Sequence, residues 1–333
     1  MNSKRPIAVA GAGSIGCFVG GMLAAAGHRV ALLARSRLIG EIKSNGVRLT
    51  GFDGTDRSVA ASEIALSDDP SIFRDAATVL VTVKSADTPV MAEIIASHAP
   101  DDAAIVSLQN GVGNVALLRE RLAPRQVLGG MVPFNVVAMG AGRFHRSTSG
   151  DIYLERDSAG IAEKLSVPGL QMHATGNIVG VQWGKLIVNL NNALNALSGL
   201  PLREQLAQRQ WRKLFADQMA EGLAVIRAEG ISPLSPNPIP TAWMPPLLRL
   251  PDGIFGILRG RTMQIDPQAR SSMSEDLQRG RRTEIDFLQG VITAIADRHG
   301  LKAPLSRRVV ELIRQAEATG KGSPKLTPEQ IRP

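Results

Sequence analysis

Residues 7–16 read Ile-Ala-Val-Ala-Gly-Ala-Gly-Ser-Ile-Gly, an apolar run followed by glycines in the spacing G-x-G-x-x-G. The run predicts a buried strand, and the small residues from Ile15 to Ala26 predict a helix that ends at Gly27. The glycine spacing alone is a weak signal. A strand before it and a helix after it, however, are typical of a turn that holds a pyrophosphate at a helix N-terminus. The residues that we expect to bind a dinucleotide here are Gly11, Ala12, Gly13, Ser14, Ile15 and Gly16.

The chain divides into two parts with different patterns. Up to about Gly176, short apolar runs alternate with helical stretches, which indicates βαβ units and a parallel sheet, and beyond it helical periodicity dominates. We predict an α/β, Rossmann-like dinucleotide-binding domain over residues 1–176 and an all-α domain over residues 177–333. The predicted strands are Ile7–Ala10, Val30–Leu33, Thr78–Val83, Ala104–Leu108, Gln126–Val132 and Gly150–Leu154, the last two closing the sheet in an antiparallel sense. The predicted later helices are Val181–Ala196, Glu204–Glu229, Ser271–His299 and Ser306–Thr319.

Residues 231–260 contain seven prolines, which exclude a continuous helix or strand across that stretch. A loop of this length is usually a functional lid or a linker. We expect it to form a wall of the substrate cleft or a lid over it.

The composition is that of an ordinary globular protein, with 44% hydrophobic and 20% charged residues among 333. We find neither an apolar run of the roughly 18–20 residues that a membrane span needs nor an N-terminal signal peptide. The single cysteine, Cys17, cannot form an internal disulfide, and no group of cysteines and histidines has the spacing of a metal site. We expect a cytoplasmic protein with no membrane contact and no metal, and Cys17 as a packing residue.

The net charge of +8 raises the question of nucleic-acid binding. Aromatic residues, on which bases stack, make up only 4% of the chain, and the basic residues are scattered along it. We therefore expect no nucleic-acid partner, and we attribute the charge to solubility and to anionic small-molecule ligands.

The end of the second predicted strand indicates which dinucleotide binds. Chains that bind NAD usually carry Asp or Glu there, which accepts hydrogen bonds from the ribose 2′-hydroxyl. Residues 33–37 read Leu-Ala-Arg-Ser-Arg, and the first carboxylate is Glu41. Since a guanidinium binds a phosphate through two hydrogen bonds, we predict NADPH as cofactor, with Arg35 on the 2′-phosphate and Arg37 in support. The alternative is a pair of solvated loop arginines.

Polar residues interrupt apolar patterns at three further places. Residues 84–88 and 109–113 follow two predicted strands, at the sheet edge where α/β folds bind ligands, although each is equally well a simple turn. In the helical part, Lys185 and Asn189 are four residues apart and Asn192 is seven from the lysine. A continuous helix puts these three side chains on one face, either exposed or hydrogen-bonded to a ligand.

Residues 271–286 read Ser-Ser-Met-Ser-Glu-Asp-Leu-Gln-Arg-Gly-Arg-Arg-Thr-Glu-Ile-Asp. In a helix, Ser272, Asp276, Gly280 and Glu284 recur every four residues along one slowly turning stripe, and Gly280 leaves room for close approach. On spacing alone, the segment is equally typical of a charged surface helix.

The order of these segments resembles the ketopantoate reductase (2-dehydropantoate 2-reductase) family over nearly the whole chain, most specifically in the run 271–286. The resemblance implies NADPH-dependent reduction of ketopantoate to pantoate in pantothenate synthesis, with the nicotinamide in a cleft between the domains. It implies Lys185 as the catalytic acid and Glu284 as the acceptor of a substrate hydroxyl. The other residues that it implies are Asn110, Asn189 and Ser272 for the substrate, and Arg35, Lys84 and Asn110 for the cofactor.

The chain departs from the family pattern at Ala193, where members often carry a second asparagine, and Asn192 is our candidate to replace it. Asp87 likewise stands where some members carry glutamine. Two alternatives stay open: a related reductase of another branched 2-oxo acid, and a non-enzymatic NADP-binding sensor. Lys185 and Glu284 argue against the sensor, because binding alone needs neither group. The long C-terminal helices suggest a homodimer paired through the helical domain.

Overall fold

A computed structural model describes residues 5–235, 239–262 and 269–333. The contacts divide the chain into two units, Met1–Ile178 and Val179–Pro333, whereas the sequence patterns place the division after residue 176. The first unit is an α/β structure, and the described residues of the second unit form helices joined by turns and loops. The predicted fold class is therefore confirmed.

The first unit contains a mostly parallel sheet with its connecting helices. Its elements are β1 (Ile7–Ala10), α1 (Ser14–Ala25), β2 (Val30–Leu33), α2 (Ser36–Asn45), β3 (Val47–Gly51), β4 (Asp56–Val59), β5 (Ile64–Ser67), β6 (Thr78–Val81), α3 (Thr88–His98), β7 (Ala104–Ser107), α4 (Asn114–Leu122), β8 (Val127–Met131), β9 (Val136–Gly140), β10 (Arg143–Arg146), β11 (Ile152–Glu155), α5 (Ile161–Leu165) and β12 (Met172–Thr175), with a 3-10 turn at Ser85–Asp87. The main sheet has the strand order β12-β11-β8-β7-β6-β1-β2-β5.

The order of the main sheet reverses direction beside its first strand. The chain adds β2 and β5 on one side of β1, then crosses over to add β6, β7 and β8 on the other side, all parallel. Ligands of open α/β sheets bind outside the carboxyl ends of the strands at such a switch point, here between β1 and β6. Strand β11 is antiparallel to β8, as predicted, whereas β8 itself is parallel to β7. The sheet does not end at β11, because β12, which was not predicted, pairs with it in parallel at the edge.

A second sheet, of order β4-β3-β10-β9, was not predicted from the sequence. Strands such as β4 expose most of their side chains, so they lack the apolar run that marks a buried strand. This sheet covers α1: an added Cβ at Gly21 would lie 2.9 Å from Leu49, and one at Gly20 would lie 2.9 Å from Leu32 of the main sheet. The small residues of α1 are therefore explained by packing on both sides.

Cys17 lies within this packing and is fully buried. Burial raises the pKa of its thiol to about 12, so the thiolate required of a nucleophile is not available near neutral pH. The structure agrees with the interpretation of Cys17 as a packing residue.

The second unit is built from shorter helices than the sequence patterns predict. Its elements are α6 (Ile178–Asn189), α7 (Asn191–Ser198), α8 (Leu202–Ala207), α9 (Arg209–Ala228), α10 (Met244–Leu248), α11 (Asp252–Thr262), α12 (Ser272–Gln278), α13 (Gln289–Arg298), α14 (Pro304–Thr319) and α15 (Pro328–Ile331), with 3-10 turns at Thr241–Trp243 and Ile285–Phe287. Across the described ranges, none of the helices combines the length and apolarity that crossing a bilayer requires.

The predicted helix over residues 271–299 is wrong, because α12 ends at Gln278. Gly280 adopts a left-handed conformation with φ +60°, and the Arg281 N–H donates to the Asp276 carbonyl at 2.8 Å, which closes the helix in a Schellman-type cap. The predicted stripe from Ser272 to Glu284 therefore does not exist. Gly280 also does not serve close approach, since an added Cβ would meet nothing within 4 Å.

The proline-rich stretch contains regular structure, contrary to the loop predicted for residues 231–260. Prolines are tolerated in the first turn of a helix, where the missing N–H has no helical partner, and α10 begins in this way. The buried guanidinium of Arg212 fixes the turn between α10 and α11, donating to the Leu248 and Leu250 carbonyls and pairing with Asp252 at 2.8 Å. Pro236 and Pro238 lie outside the described residues.

Candidate active site

The turn Gly11–Gly16 follows β1 and packs against the end of β6, the strand on the other side of the switch point. Gly11 has φ +99°, and its carbonyl accepts a hydrogen bond of 2.6 Å from the Thr82 hydroxyl, just beyond β6. An added Cβ at Gly16 would lie 2.5 Å from the same hydroxyl and 2.6 Å from the Gly11 carbonyl. The first and third glycines are therefore explained by contacts within the protein.

Gly13 is different, because no contact among the described residues requires a glycine there. Its backbone is extended, with φ −80° and ψ −169°, a conformation open to any residue, and an added Cβ would meet nothing within 4 Å. It also forms the N-cap of α1, where main-chain N–H groups are directed outward and favour an anion. This open space at a helix N-terminus fits the pyrophosphate of a dinucleotide.

Alanine at each of these glycines separates ligand contact from packing. We expect Gly13→Ala to change the free energy of unfolding by less than about 0.5 kcal/mol, as at an unstrained surface site, but to weaken NADPH binding about tenfold. We expect the matched Gly16→Ala to cost about 1–3 kcal/mol of stability through steric overlap. Thermal unfolding and a fluorescence titration with NADPH check both. Normal NADPH affinity in a folded Gly13→Ala protein would contradict the assignment.

Two loops that follow β6 and β7 carry the predicted cofactor residues Lys84 and Asn110. Buried polar side chains join these loops: the Ser85 hydroxyl donates to the Asn110 carbonyl at 3.0 Å, and Asn114 donates to the same carbonyl at 2.8 Å. Gln109 reaches from the second loop to the Val83 carbonyl at 3.1 Å. These bonds hold the main chain of the two loops, and with it Lys84 and Asn110, at the sheet edge beside the glycine turn.

The network that holds these loops is a feature that the sequence reading missed. Thr88 donates to Asn114 at 2.9 Å and accepts from Gln109 at 2.7 Å, and all three side chains are buried. Thr88 and Asn114 begin α3 and α4 and carry no mark of this role in the sequence. The available signal is Gln109, a polar residue directly after an apolar run. That signal marks the loops, but it does not separate ligand-binding side chains from those that brace the loops.

At the end of β2, Arg35 is exposed immediately before α2, where the 2′-phosphate of NADPH is expected. Arg37 forms an ion pair with Glu41 one turn along the helix, so part of its charge is already compensated. The structure also adds a carboxylate that was not predicted: Asp68, after β5, accepts a hydrogen bond of 2.7 Å from the Ser36 hydroxyl. The candidate phosphate site therefore has both an arginine and an acidic neighbour.

In the second unit, Lys185 lies on α6 and is half-buried. Burial lowers the pKa of its ammonium group to about 8, and the negative charge of Glu284 opposes this effect. The structure thus brings the two predicted catalytic residues within electrostatic range, although the helix predicted to carry Glu284 is absent. A lysine with a pKa near neutral both donates a proton readily and stabilises a developing oxyanion.

A close main-chain crossing holds the helix that carries Lys185. The Leu234 N–H donates to the Gly180 carbonyl at 2.8 Å, and an added Cβ at Gly184 would lie 1.9 Å from the Leu234 carbonyl oxygen. Only a glycine at 184 allows this approach, directly beside the catalytic candidate. The signal of this crossing in the sequence is a pair of glycines four residues apart in α6, Gly180 and Gly184.

The two adjacent serines of residues 271–272 have different surroundings. Ser271 is buried at the N-cap of α12, where its hydroxyl donates to the Asn192 carbonyl at 2.8 Å and accepts from the Ser274 N–H at 3.2 Å. Ser272 is exposed at the start of the helix. Ser271 is therefore occupied in joining α12 to α7, and Ser272 is the serine accessible to a substrate.

The helix predicted over residues 181–196 is divided at Leu190 into α6 and α7, although Leu190 keeps helical backbone angles, with φ −56° and ψ −27°. The Leu190 carbonyl accepts a hydrogen bond of 2.8 Å from the buried Gln289 side chain. Asn189, the last residue of α6, and Asn192 on α7 are both half-buried. The neighbouring Asn191 is buried and bonded to Gln205, so it is not available to a ligand. Ala193, where the family resemblance leads us to expect an asparagine, is fully buried.

Within the described residues, no group of three His, Cys, Asp or Glu side chains is placed to hold a metal ion. The chemistry that the arrangement supports is hydride and proton transfer. A dinucleotide-binding α/β unit, followed by a helical unit with a lysine of lowered pKa near a carboxylate, defines a nicotinamide-dependent oxidoreductase.

Comparison with known proteins identifies the family. The model of the family Ketopantoate reductase PanE/ApbA matches residues 7–158, and the model Ketopantoate reductase PanE/ApbA C terminal matches residues 177–317. The chain belongs to the ketopantoate reductase family, whose members are oxidoreductases acting on a CH–OH group.

Individual relatives match over nearly their whole length. The 2-dehydropantoate 2-reductase of Halobacterium salinarum is 29% identical, with 94% of this chain and 99% of that protein covered. The crystal structure of the PanE/ApbA family ketopantoate reductase from Ralstonia eutropha JMP134 is 32% identical and superposes with a TM-score of 0.80, covering 95% of this chain and 99% of the other. A D-mandelate dehydrogenase solved with NADH and anilino(oxo)acetate shares the fold at 22% identity, with a TM-score of 0.76 and coverage of 95% and 99%.

Proposed function

We propose that this protein reduces 2-dehydropantoate (ketopantoate) to (R)-pantoate with NADPH, the reductive step of pantothenate biosynthesis. The observation that carries the proposal is Lys185, a half-buried lysine with a pKa of about 8 and Glu284 within electrostatic range, in a chain of this family. The reaction uses groups from both units, with dinucleotide binding in the first and proton transfer in the second.

When bound, NADPH supplies the hydride, which forms the new C–H bond at the ketone carbon. The carbonyl π electrons move to oxygen, and the Lys185 ammonium group donates its proton there to give the alcohol. Before the transfer, the same ammonium group stabilises the negative charge that develops on this oxygen. The neutral amine that remains regains its proton from solvent.

Substrate orientation is assigned to the neighbouring polar groups. Glu284 accepts a hydrogen bond from the substrate hydroxyl and helps to keep Lys185 charged. Asn189 and the exposed Ser272 bind the substrate carboxylate and ketone, and the family resemblance assigns Asn110 to the substrate as well. Asn192 makes the substrate contact of the family asparagine whose position is occupied here by Ala193. On the cofactor side, Arg35 binds the 2′-phosphate and the turn Gly11–Gly16 binds the pyrophosphate. Lys84 and Asn110 also contact the cofactor.

The pH dependence of kcat/KM tests the role assigned to Lys185. Because the lysine must be protonated to act as an acid, we expect activity to fall as the pH rises through about 8. Glu284→Gln removes the charge that raises the pKa of Lys185, so the falling limb moves to lower pH. Initial rates from about pH 6 to about pH 10 measure this limb. The control is Asp297→Asn, which removes an exposed carboxylate paired with Arg307. If kcat/KM falls at the same pH in wild type and in Glu284→Gln, the electrostatic coupling between Glu284 and Lys185 is contradicted.

A second candidate keeps the chemistry and changes the substrate to another branched 2-oxo acid. Ala193 favours it, since a methyl group replaces a substrate-binding amide, and so does the fold shared with a dehydrogenase crystallised with anilino(oxo)acetate. We would test both candidates by following NADPH oxidation with ketopantoate and a panel of 2-oxo acids. The highest kcat/KM on ketopantoate supports the first candidate, and a higher value on another acid supports the second. No turnover on any of them refutes the proposed reductase activity.

The proposal also includes a cytoplasmic enzyme and a homodimer paired through the helical unit. The location rests on the single cysteine, Cys17, which is free and buried, as is usual for proteins of reducing compartments. The assembly rests on α14 (Pro304–Thr319), the long C-terminal helix that the structure retains, and light scattering of the purified protein measures it.

A further inference from the structure

The carboxylate assigned to the substrate lies on an irregular part of the chain. Glu284 falls in residues 279–288, here called the Glu284 segment, between the end of α12 and the start of α13. The segment contains the left-handed Gly280 and the 3-10 turn Ile285–Phe287. Since no continuous helix fixes its main chain, the place of the Glu284 side chain depends on contacts from other elements.

Helix α14 supplies two such contacts, one on each side of Glu284. The Thr283 N–H donates to a carboxylate oxygen of Glu317 at 2.7 Å, and Arg314 pairs with Asp286 at 2.7 Å. Glu317 and Arg314 are three residues apart on α14 and so share a face of that helix. Thr283 in turn accepts a hydrogen bond of 3.2 Å from the Ile285 N–H, which links the Glu317 contact to the buried Ile285.

The two contacts differ in strength. The side chains of Arg314 and Asp286 are 61% and 59% exposed, so water and salt screen their attraction. The contact of Glu317 is part-buried, so water and salt screen it less, and it holds a main-chain N–H, so it constrains the backbone directly. It also acts on the residue directly before Glu284.

We propose that Glu317 is a positioning residue for Glu284: by holding the Thr283 main chain, it sets where the neighbouring carboxylate lies relative to Lys185. Glu317 itself touches neither substrate nor cofactor in this scheme. The inference rests on the proposed function for the roles of Lys185 and Glu284, and it adds the residue that places one of them. Without the Glu317 contact, the Glu284 segment samples other positions. The substrate is then held less well in line, and Lys185 is protonated to a smaller extent.

Two conservative substitutions test whether the length of the Glu317 side chain or its negative charge is what matters. Glu317→Asp keeps the negative charge, but the side chain is one methylene too short to hold Thr283. Glu317→Gln loses the charge but keeps a carbonyl oxygen at the same reach. Positioning predicts that Asp is impaired and Gln is close to wild type, whereas a long-range effect of charge predicts the opposite order. Glu311 on the same helix, bonded to Arg308 and Gln315, provides matched controls in Glu311→Asp and Glu311→Gln.

For Glu317→Asp we expect kcat/KM for the 2-oxo acid to fall about tenfold or more, as for a small misplacement of a catalytic group, with NADPH affinity unchanged. We also expect the pKa of Lys185 to fall, because the charge of Glu284 lies farther away on average. NMR of ¹³C-methylated lysines, assigned with Lys185→Arg, measures this pKa without turnover. The measurement therefore tests the positioning role even if the protein reduces none of the 2-oxo acids.

The results distinguish positioning from a purely structural role. A lower Lys185 pKa in Glu317→Asp, with Glu317→Gln and both Glu311 variants close to wild type, supports the proposal. An unchanged Lys185 pKa and unchanged kinetics in Glu317→Asp overturn it, whether or not thermal stability falls. A larger change in Glu317→Gln than in Glu317→Asp also overturns it, because the charge and not the reach would then matter.

Discussion

Replacing Lys185 by alanine is expected to lower kcat for 2-oxo acid reduction by roughly 10²–10⁴-fold, the usual contribution of a positioned general acid. The variant loses both the proton donor and the positive charge that stabilises the developing alkoxide. NADPH affinity should be unchanged, because the cofactor is assigned to residues of the first unit. Stopped-flow measurement of NADPH oxidation, together with a fluorescence titration of NADPH, measures the two quantities separately.

Two further variants sharpen this test. Lys185→Arg keeps the charge, but a guanidinium does not release its proton near neutral pH, so the fall in activity at high pH should disappear along with most of the rate. Lys213→Ala removes an exposed lysine of α9 in the same unit and should leave kcat at the wild-type value. Full turnover in Lys185→Ala with normal NADPH binding would refute the catalytic assignment and favour another proton donor.

Reversing the charge at Arg35 is expected to give the largest change in cofactor preference. Arg35→Asp loses hydrogen bonds to the 2′-phosphate worth about 1.5–3 kcal/mol, which corresponds to a loss of roughly 10–150-fold in NADPH affinity. The new carboxylate also repels the phosphate and can accept hydrogen bonds from the ribose 2′-hydroxyl of NADH. The ratio of kcat/KM for NADPH to that for NADH should therefore reverse, and steady-state kinetics with each dinucleotide measure it.

Neighbouring charges serve as controls for this prediction. Arg37→Asp should have a smaller effect, since Arg37 is already paired with Glu41. Asp68→Asn should shift the preference further toward NADPH, because it removes the acidic group bonded to Ser36 beside the phosphate site. An NADPH/NADH ratio that is the same in wild type and Arg35→Asp would show that the 2′-phosphate binds elsewhere.

Local patterns in the sequence predict much of the first unit. A strand, a glycine turn and a helix of small residues follow one another within twenty residues, and β1, β2, β6 and β7 all coincide with predicted apolar runs. Such runs are informative because strands of a parallel sheet are buried on both faces. The second sheet is missed for the converse reason, since its strands are short and largely exposed, as in β4 and β9.

In the helical unit the sequence predicts helices correctly and their ends poorly. Periodicity continues across Leu190 and across residues 279–284, yet the chain leaves the helix in the second place through the left-handed Gly280. Glycine inside a helical pattern is compatible with either a tolerated interruption or a cap, and local sequence alone does not distinguish the two. The stripe from Ser272 to Glu284 is wrong for this reason.

The sequence by itself predicted the glycine turn and the arginine at the end of β2, because each depends on residues adjacent along the chain. It also determined the family, because the order of several local segments along the chain is enough to show it. Only the tertiary structure showed that Asp68 bonds to Ser36, that Ser271 is buried while Ser272 is exposed, and that Glu317 holds the chain beside Glu284. Each of these depends on residues 32 or more positions apart, brought together by the packing of whole strands and helices. Local periodicity carries no information about such contacts, so the turn on β1 could be predicted while the surroundings of Lys185 and Glu284 could not.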